Sequence, residues 1–248
     1  MCGISGIYNL DGRHVDREEL DTFRDSLKHR GPDGKGSFIK KNIGIAHRRL
    51  SIIDLSESGT QPMFYGNRYV ITYNGECYNY EEIRSELKNK GYKFKSNTDT
   101  EVILAGYDYW GEEIQNKLNG MWAFGIYDLK KNELFLSRDR FGIKPLFYLK
   151  NTNYVCFASE LKAFMFLNEN KKPSFDDHVL LNLRLYDSNE KTFLKNVFSL
   201  PAGHSIKITK NNFLKKKWWK IENSLININK NEIYEQFYNL FLDSLKKT

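Results

Sequence analysis

The chain opens Met1-Cys2-Gly3-Ile4-Ser5-Gly6. A chain end is usually frayed and solvated, so a core role gives little reason for a cysteine there. With Met1 removed, Cys2 carries a thiol and a free α-amine a few ångströms apart. The reference pKa of such an amine is about 7.7–8, and that of a thiol about 8.5. The amine can therefore take the thiol proton near neutral pH without a histidine, which is the N-terminal form of an activated nucleophile. Gly3 leaves the backbone room to approach a substrate. A nucleophile that attacks an amide also needs donors for the oxyanion it creates. Asn74 and Gly75 can supply two, a side-chain NH2 and a backbone N–H that no side chain shields. One such donor lowers a barrier by about 3 kcal/mol. Arg49 can fork onto an α-carboxylate, and Asp99 can hold an α-ammonium. Each feature alone has a plainer reading. Asn-Gly is the commonest hairpin signal, a cysteine near a start codon can be incidental, and most arginines and aspartates are solvated.

These residues need elements to hold them. "GISGIYNL" alternates and predicts a strand directly behind Cys2. "DREELDTFRDSLKHRG" predicts a helix, with Asp16 and Glu19 as a capping box and Gly31 as its stop. "NIGIAHRRLSIID" and "NRYVITYNGECYN" predict the strands that carry Arg49 and Asn74. Two helices follow, one capped by Asn79 and ended by Gly91, the other capped by Thr98 with Asp99 and Glu101 in its first turn. From about residue 120 the pattern is mostly strands, with a polar hairpin at Asp128–Asn132, a short helix in "ELKAFMFL", and late strands broken by Pro201 and Gly203. Strands outnumber helices and neither is segregated, which fits an α+β sandwich better than a doubly wound parallel sheet.

Composition excludes several classes. The three cysteines, Cys2, Cys77 and Cys156, are odd in number and widely spaced, so they form no disulfide framework. They show no zinc-like pairing with the five histidines, so no metal site is expected. No apolar run reaches the roughly 18–20 residues of a membrane span, and no signal peptide is visible. A reduced, cytoplasmic protein is the expectation. The net charge of +7 is uneven: residues 201–248 hold 9 basic and 4 acidic residues, a net of +5. That tail lacks a nucleic-acid reading motif, so no nucleic-acid partner is expected.

Together the motifs resemble one family. "MCGISGIYN", "HRGPDG", "AHRRLSIIDLSESGTQPM", "TYNGECYNYEEIRSEL", "SNTDTEVIL", "NGMWAFGIYD", "LSRDRFGIKPLFY", "FASELKAF" and "PAGH" stand in the order and spacing of the glutaminase domain of glutamine-dependent asparagine synthetases. These are class II, N-terminal-nucleophile glutamine amidotransferases, and the resemblance covers roughly residues 2–208. It implies a four-layer αββα sandwich of two antiparallel sheets. It implies that Cys2 is the nucleophile with its own α-amine as base, and that Asn74 and Gly75 form the oxyanion hole. It implies that Arg49 binds the glutamine carboxylate, that Asp99 beside Glu76 binds the glutamine amine, and that the backbone of Leu50, Ser51, Ile52 and Ile53 lines the pocket. The implied reaction is glutamine plus water to glutamate plus ammonia, through a thioester on Cys2 and with no cofactor. Cys77 and Cys156 read as small buried hydrophobes. Arg138 and Arg140 read as structural or as facing a partner domain.

The end of the chain departs from the family, whose members continue into an ATP-using synthetase domain with an "SGGLDS"-type loop. No such loop occurs here, and "GPDGKGS" has the wrong spacing for a phosphate-binding loop. The expectation is a glutaminase domain over 1–208, then a basic linker and the first helix of a missing synthetase domain over 209–248. ATP and magnesium belong to that missing part. The expected partners are L-glutamine and a synthetase domain or subunit, with a homodimer also allowed. Two alternatives stay open: a glutamine-binding module without turnover, and a glutaminase that feeds a sugar- or peptide-amidating enzyme.

Overall fold

The computed structural model describes residues 1–51, 56–176, 190–222 and 229–247. Its first sheet has six antiparallel strands. β1 (Gly3–Asn9) lies between β3 (Ile43–Arg49) and β9 (Tyr154–Ala158). β2 (Gly34–Lys40) flanks β3, while β8 (Phe147–Lys150) and β10 (Val197–Ser199) continue beyond β9. The second sheet runs β12 (Phe213–Lys217), β11 (His204–Ile208), β7 (Glu133–Arg138), β6 (Gly120–Asp128), β5 (Tyr69–Cys77) and β4 (Met63–Tyr65). Helix α1 (Arg17–Asp25) covers the first sheet, and α2 (Tyr80–Asn89) and α3 (Asp99–Trp110) cover the second. A short α4 (Ile114–Lys117) leads into β6. The expected α+β, four-layer αββα architecture is the one observed.

Strand alternation builds three apolar layers. Ile4, Ile45, Val70, Ala123, Leu136 and Phe157 fill the space between the sheets. On β5 the opposite parity, Tyr69, Ile71 and Tyr73, packs outward against Ile83, Val102 and Ile103 of the helices. Ile7, Ala46, Cys156 and Ala158 pack outward from the first sheet onto Leu20 and Phe23 of α1. Cys77 and Cys156 are both buried in this way, as expected. Burying a large apolar side chain is worth about 1.5–3 kcal/mol, so these layers dominate the fold.

Several local expectations change. Asp16 does cap α1, by accepting from the Glu18 amide, but Glu19 completes no capping box. Its carboxylate is buried, where it accepts from the Asn168 amide and pairs with Lys171. A charge partner there outweighs an exposed cap. The helix ends at Asp25, well before Gly31. Gly31 serves another end: a Cβ on it would lie 2.3 Å from the carbonyl of Arg48, so the loop crosses β3 at a distance only glycine allows. The Asn-Gly pair lies within β5 and forms no turn. In the segment read as linker, Phe213–Lys217 forms β12 against β11, and the Trp218 ring stacks on Trp122 at 5.6 Å. Helix α5 (Lys230–Lys247) follows, with Phe237 and Leu240 about 70% exposed. Among the described residues no helix is long and apolar enough to cross a membrane.

Candidate active site

Cys2 stands at the threshold of β1, and its backbone is fixed from several sides. Arg30 Nε donates to the Cys2 carbonyl at 2.9 Å, while Arg30 Nη1 donates to Glu160 Oε1 at 2.8 Å. The Ile4 amide donates to Ser159 Oγ, and the Ser159 amide returns a bond to the Ile4 carbonyl. The Cys2 sulfur accepts from the Leu50 amide at 3.4 Å and lies 3.6 Å from the Leu50 carbonyl, just beyond β3. Asp33 braces that segment: its carboxylate accepts from the Ser51 amide at 2.8 Å and its own amide donates to the Arg49 carbonyl. Burial pushes the thiol above its ordinary pKa, against the Leu50 amide, the nearby amino terminus and Arg49, which pull it down. With Met1 in place, the Cys2 nitrogen is an amide and carries no basic lone pair.

Opposite lies β5. By strand alternation Thr72 and Asn74 share the parity of Val70 and face the first sheet, the sheet of Cys2. Asn74 is 1% exposed, and its Nδ2 is buried without a hydrogen-bond partner among the described residues. β4 pairs with β5 only over Tyr69–Ile71, so among the described residues the edge of β5 beyond Ile71 has no neighbouring strand. Side chains serve that edge instead. The Tyr73 amide donates to Gln61 Oε1 at 2.7 Å, the Tyr73 carbonyl accepts from His47 Nε2 at 3.1 Å, and the Cys77 amide donates to Asp99 Oδ2 at 3.0 Å. By the same alternation the Gly75 N–H points out of this open edge, between the other two. A Cβ on Gly75 would meet the Met121 carbonyl at 2.4 Å, so the approach of β6 requires glycine.

Asp99 sits in the first turn of α3, where the helix dipole favours a carboxylate. Thr98 caps that helix, and Arg84 of α2 donates to the carbonyls of Ser96 and Thr98, which fixes the turn. Asp99 also accepts from the Tyr73 hydroxyl at 2.8 Å. Burial raises its pKa, opposed by the Cys77 amide, the Tyr73 hydroxyl and the Thr100 amide. Arg49, at the end of β3, donates from Nη1 to the Ser56 carbonyl at 2.9 Å.

One open cleft, with about 610 Å³ of atom-free space, gathers Cys2, Arg49, Leu50, Ser51, Asn74, Gly75, Glu76 and Asp99. Ile52 and Ile53 lie outside the described residues. Among the described residues no three His, Cys, Asp or Glu side chains gather as a metal site. Sequence reasoning gave no role to Arg30, Gln61, Tyr73 or Lys144. Arg30 holds the Cys2 carbonyl, and the other three line the cleft. The motifs "HRGPDG", "TQPM", "TYNGEC" and "GIKPL" that carry them are visible in the sequence, but only the fold shows what each residue reaches. Gly3 is also reinterpreted: a Cβ there would lie 2.8 Å from Leu27 Cβ, so the tight approach is to the segment after α1. A nucleophile, two amide donors, a guanidinium and two carboxylates in one cleft suit the cleavage of an amide that carries its own α-amine and α-carboxylate.

Comparison with known proteins places the chain in a family. A family profile described as a glutamine amidotransferase domain matches residues 1–219. A putative glutamine-hydrolysing asparagine synthetase 2 of Methanocaldococcus jannaschii is 36% identical over 99% of this chain and 52% of its own length. The glutamine-hydrolysing asparagine synthetase 1 of Bacillus subtilis is 46% identical over 66% of this chain and 27% of its own. Among solved structures, the B. subtilis glutamine phosphoribosylpyrophosphate amidotransferase, complexed with ADP and GMP, superposes with a TM-score of 0.66 at 20% identity. It covers 88% of this chain and 49% of that one, and the likeness is one of fold. The chain spans about half the length, or less, of the curated relatives it matches.

Proposed function

This chain belongs to the glutamine amidotransferase domain family, and from that premise we propose that it hydrolyses L-glutamine to L-glutamate and ammonia through a thioester on Cys2. Arg49 takes the substrate α-carboxylate, and Asp99 with Glu76 takes the α-ammonium. After removal of Met1, the Cys2 α-amine accepts the thiol proton and the sulfur attacks the side-chain amide carbon. The carbonyl oxygen becomes an oxyanion held by Asn74 Nδ2 and the Gly75 N–H. The amine returns the proton to the leaving nitrogen, ammonia departs and the thioester remains. Water then adds to the thioester, giving its proton to the amine, and collapse releases glutamate and restores the thiol.

The observation that carries this reading is the buried Asn74 amide nitrogen, without a partner among the described residues, in the cleft that holds the Cys2 sulfur. A buried unsatisfied donor costs about 1–3 kcal/mol, and a developing oxyanion is the acceptor that offsets it. Asparagine-synthetase relatives along nearly the whole chain support delivery of the ammonia to an ATP-dependent step that amidates aspartate. That step belongs to the length of those relatives that this chain does not cover. The test is glutamate release from glutamine, with Met1 removal confirmed by intact mass in the same sample. Processed chain should turn over, whereas unprocessed chain and Cys2→Ala should not. No release from processed chain refutes the proposal.

A further inference from the structure

We propose that His47 is a positioning residue for this reaction: from β3 its imidazole holds the Tyr73 carbonyl, and so fixes the strand edge that presents Asn74 and Gly75 to the Cys2 sulfur. The inference rests on the glutaminase reading above. His47 shares the parity of Ile43 and Ile45, which face the space between the sheets. It is fully buried, and it crosses that space to the second sheet at 3.1 Å. A carbonyl only accepts, so Nε2 carries the ring proton.

The place of this bond separates it from ordinary core satisfaction. The nucleophile belongs to the first sheet, through β1 and the Leu50 contact just past β3. The oxyanion donors belong to the second sheet, on a stretch of β5 that has lost its neighbouring strand. Two side-chain bonds tie the sheets there. Thr72 Oγ1 donates to the Ala46 carbonyl at 3.0 Å, and His47 Nε2 donates to the next residue of β5. Gln61 holds the Tyr73 amide on the same edge. Tyr73 is therefore gripped at both backbone groups, one residue before Asn74. His47 Nδ1 is buried with no partner among the described residues. An apolar side chain would avoid that cost, so packing alone does not explain a histidine here. Burial also pushes its pKa down to about 3, against the bond to Tyr73, which keeps the ring neutral at working pH.

The test is a variant series in the processed full chain. His47→Leu keeps the volume and removes the donor. His47→Gln places an amide nitrogen near the Nε2 position, and His47→Asn carries the same group on a shorter stem. His47→Leu and His47→Asn should lower kcat for glutamine hydrolysis by roughly 10–100-fold, the scale of a misplaced oxyanion donor, with KM changed less than about threefold. His47→Gln should recover to within about fivefold of wild type. Two probes of Cys2 separate positioning from general damage. Glutamate γ-semialdehyde forms a sulfur–carbon bond and turns its carbonyl oxygen into the group the oxyanion hole binds, so its affinity should fall in step with kcat. With iodoacetamide the Cys2 sulfur bonds to the methylene carbon and displaces iodide without creating an oxyanion, so the alkylation rate should stay within about twofold. If His47→Leu does not fold, the Gln and Asn variants carry the comparison. Full kcat in the Asn variant refutes the inference alone. So do equal losses in all three variants with alkylation slowed in parallel. A wild-type chain with neither turnover nor aldehyde adduct refutes the glutaminase reading, and the inference with it.

Discussion

Replacing Asn74 by alanine should remove most of the activity and leave stability nearly unchanged. The Asn74 amide nitrogen is buried and bonded to nothing among the described residues. In the folded resting state it therefore costs stability, about 1–3 kcal/mol for an unsatisfied buried donor. Its removal relieves that cost and loses some packing in a residue that is 1% exposed. The two nearly cancel, so the melting temperature should shift by less than about 4 °C, the equivalent of about 1 kcal/mol in a domain of this size. In the transition state of the proposed reaction the same nitrogen faces a developing negative charge. Loss of one oxyanion donor costs about 2.7–4 kcal/mol, or roughly 100–1000-fold in kcat. The Michaelis constant should stay within about threefold, because Arg49 and Asp99 remain to hold the substrate ends. The assay is steady-state glutamate release beside a thermal melt of the same preparation. A kcat within about threefold of wild type removes Asn74 from the oxyanion hole. A melting temperature lowered by more than about 8 °C with activity lost in proportion makes it a structural residue, and the cleft must then be read differently.

Two further outcomes follow from the same geometry. Glu160 is held at about 2: burial works to raise it, and the bonds from Arg30 and His29 overcome that and hold it low. A carboxylate depressed in the folded state adds stability above its unfolded value of about 4.3 and loses it as pH falls toward 2, because the unfolded chain then binds more protons. Glu160→Gln should therefore melt below wild type at pH 7, and the gap should close between about pH 4.3 and 2; a gap constant across that window refutes the assignment. Deletion of residues 231–248 removes an exposed apolar stripe carrying Phe237, Leu240 and Phe241, so it should raise solubility and leave the main melting transition in place. Unfolding of the body on deletion would make α5 part of this domain's own core.

What the sequence disclosed and what it hid have separate physical causes. β1, β3, β5 and β6 carry dense apolar alternation, and each lies close to where the pattern puts it. Thr98 caps α3 as its residue type requires, and Gly91 ends α2 with a positive φ of 89°. β2 and β12 were not legible. β2 opens Gly-Lys-Gly-Ser, and its only apolar residues, Phe38 and Ile39, are adjacent and mark no alternation, so it exists because β3 offers it an edge. β12 contains three consecutive lysines, which read as a solvated charge run, yet charged residues are what protects a sheet edge from further pairing. Both strands are dictated by their neighbours, and a local pattern cannot report that.

The site divides along the same line. Cys2, Arg49, Asn74, Gly75 and Asp99 were legible because each carries chemistry in its own residue type, and the cleft gathers all five. The groups that aim them were not. Arg30, Gln61 and His47 act through backbone carbonyls and amides of other residues, at sequence separations of 28, 12 and 26. Nothing in a one-dimensional pattern says that β5 loses its neighbour after Ile71, and only that loss leaves Tyr73 and Gly75 with backbone groups on an open edge. On the proposed reading the free edge is what β5 needs, since a paired Gly75 N–H could not receive an oxyanion. The same freedom lets the strand drift, and rates fall steeply when a reacting geometry shifts by about 1 Å. Side-chain clamps on either flank of Gly75 resolve that conflict: they hold the strand as a neighbour would and leave the one N–H between them facing the cleft.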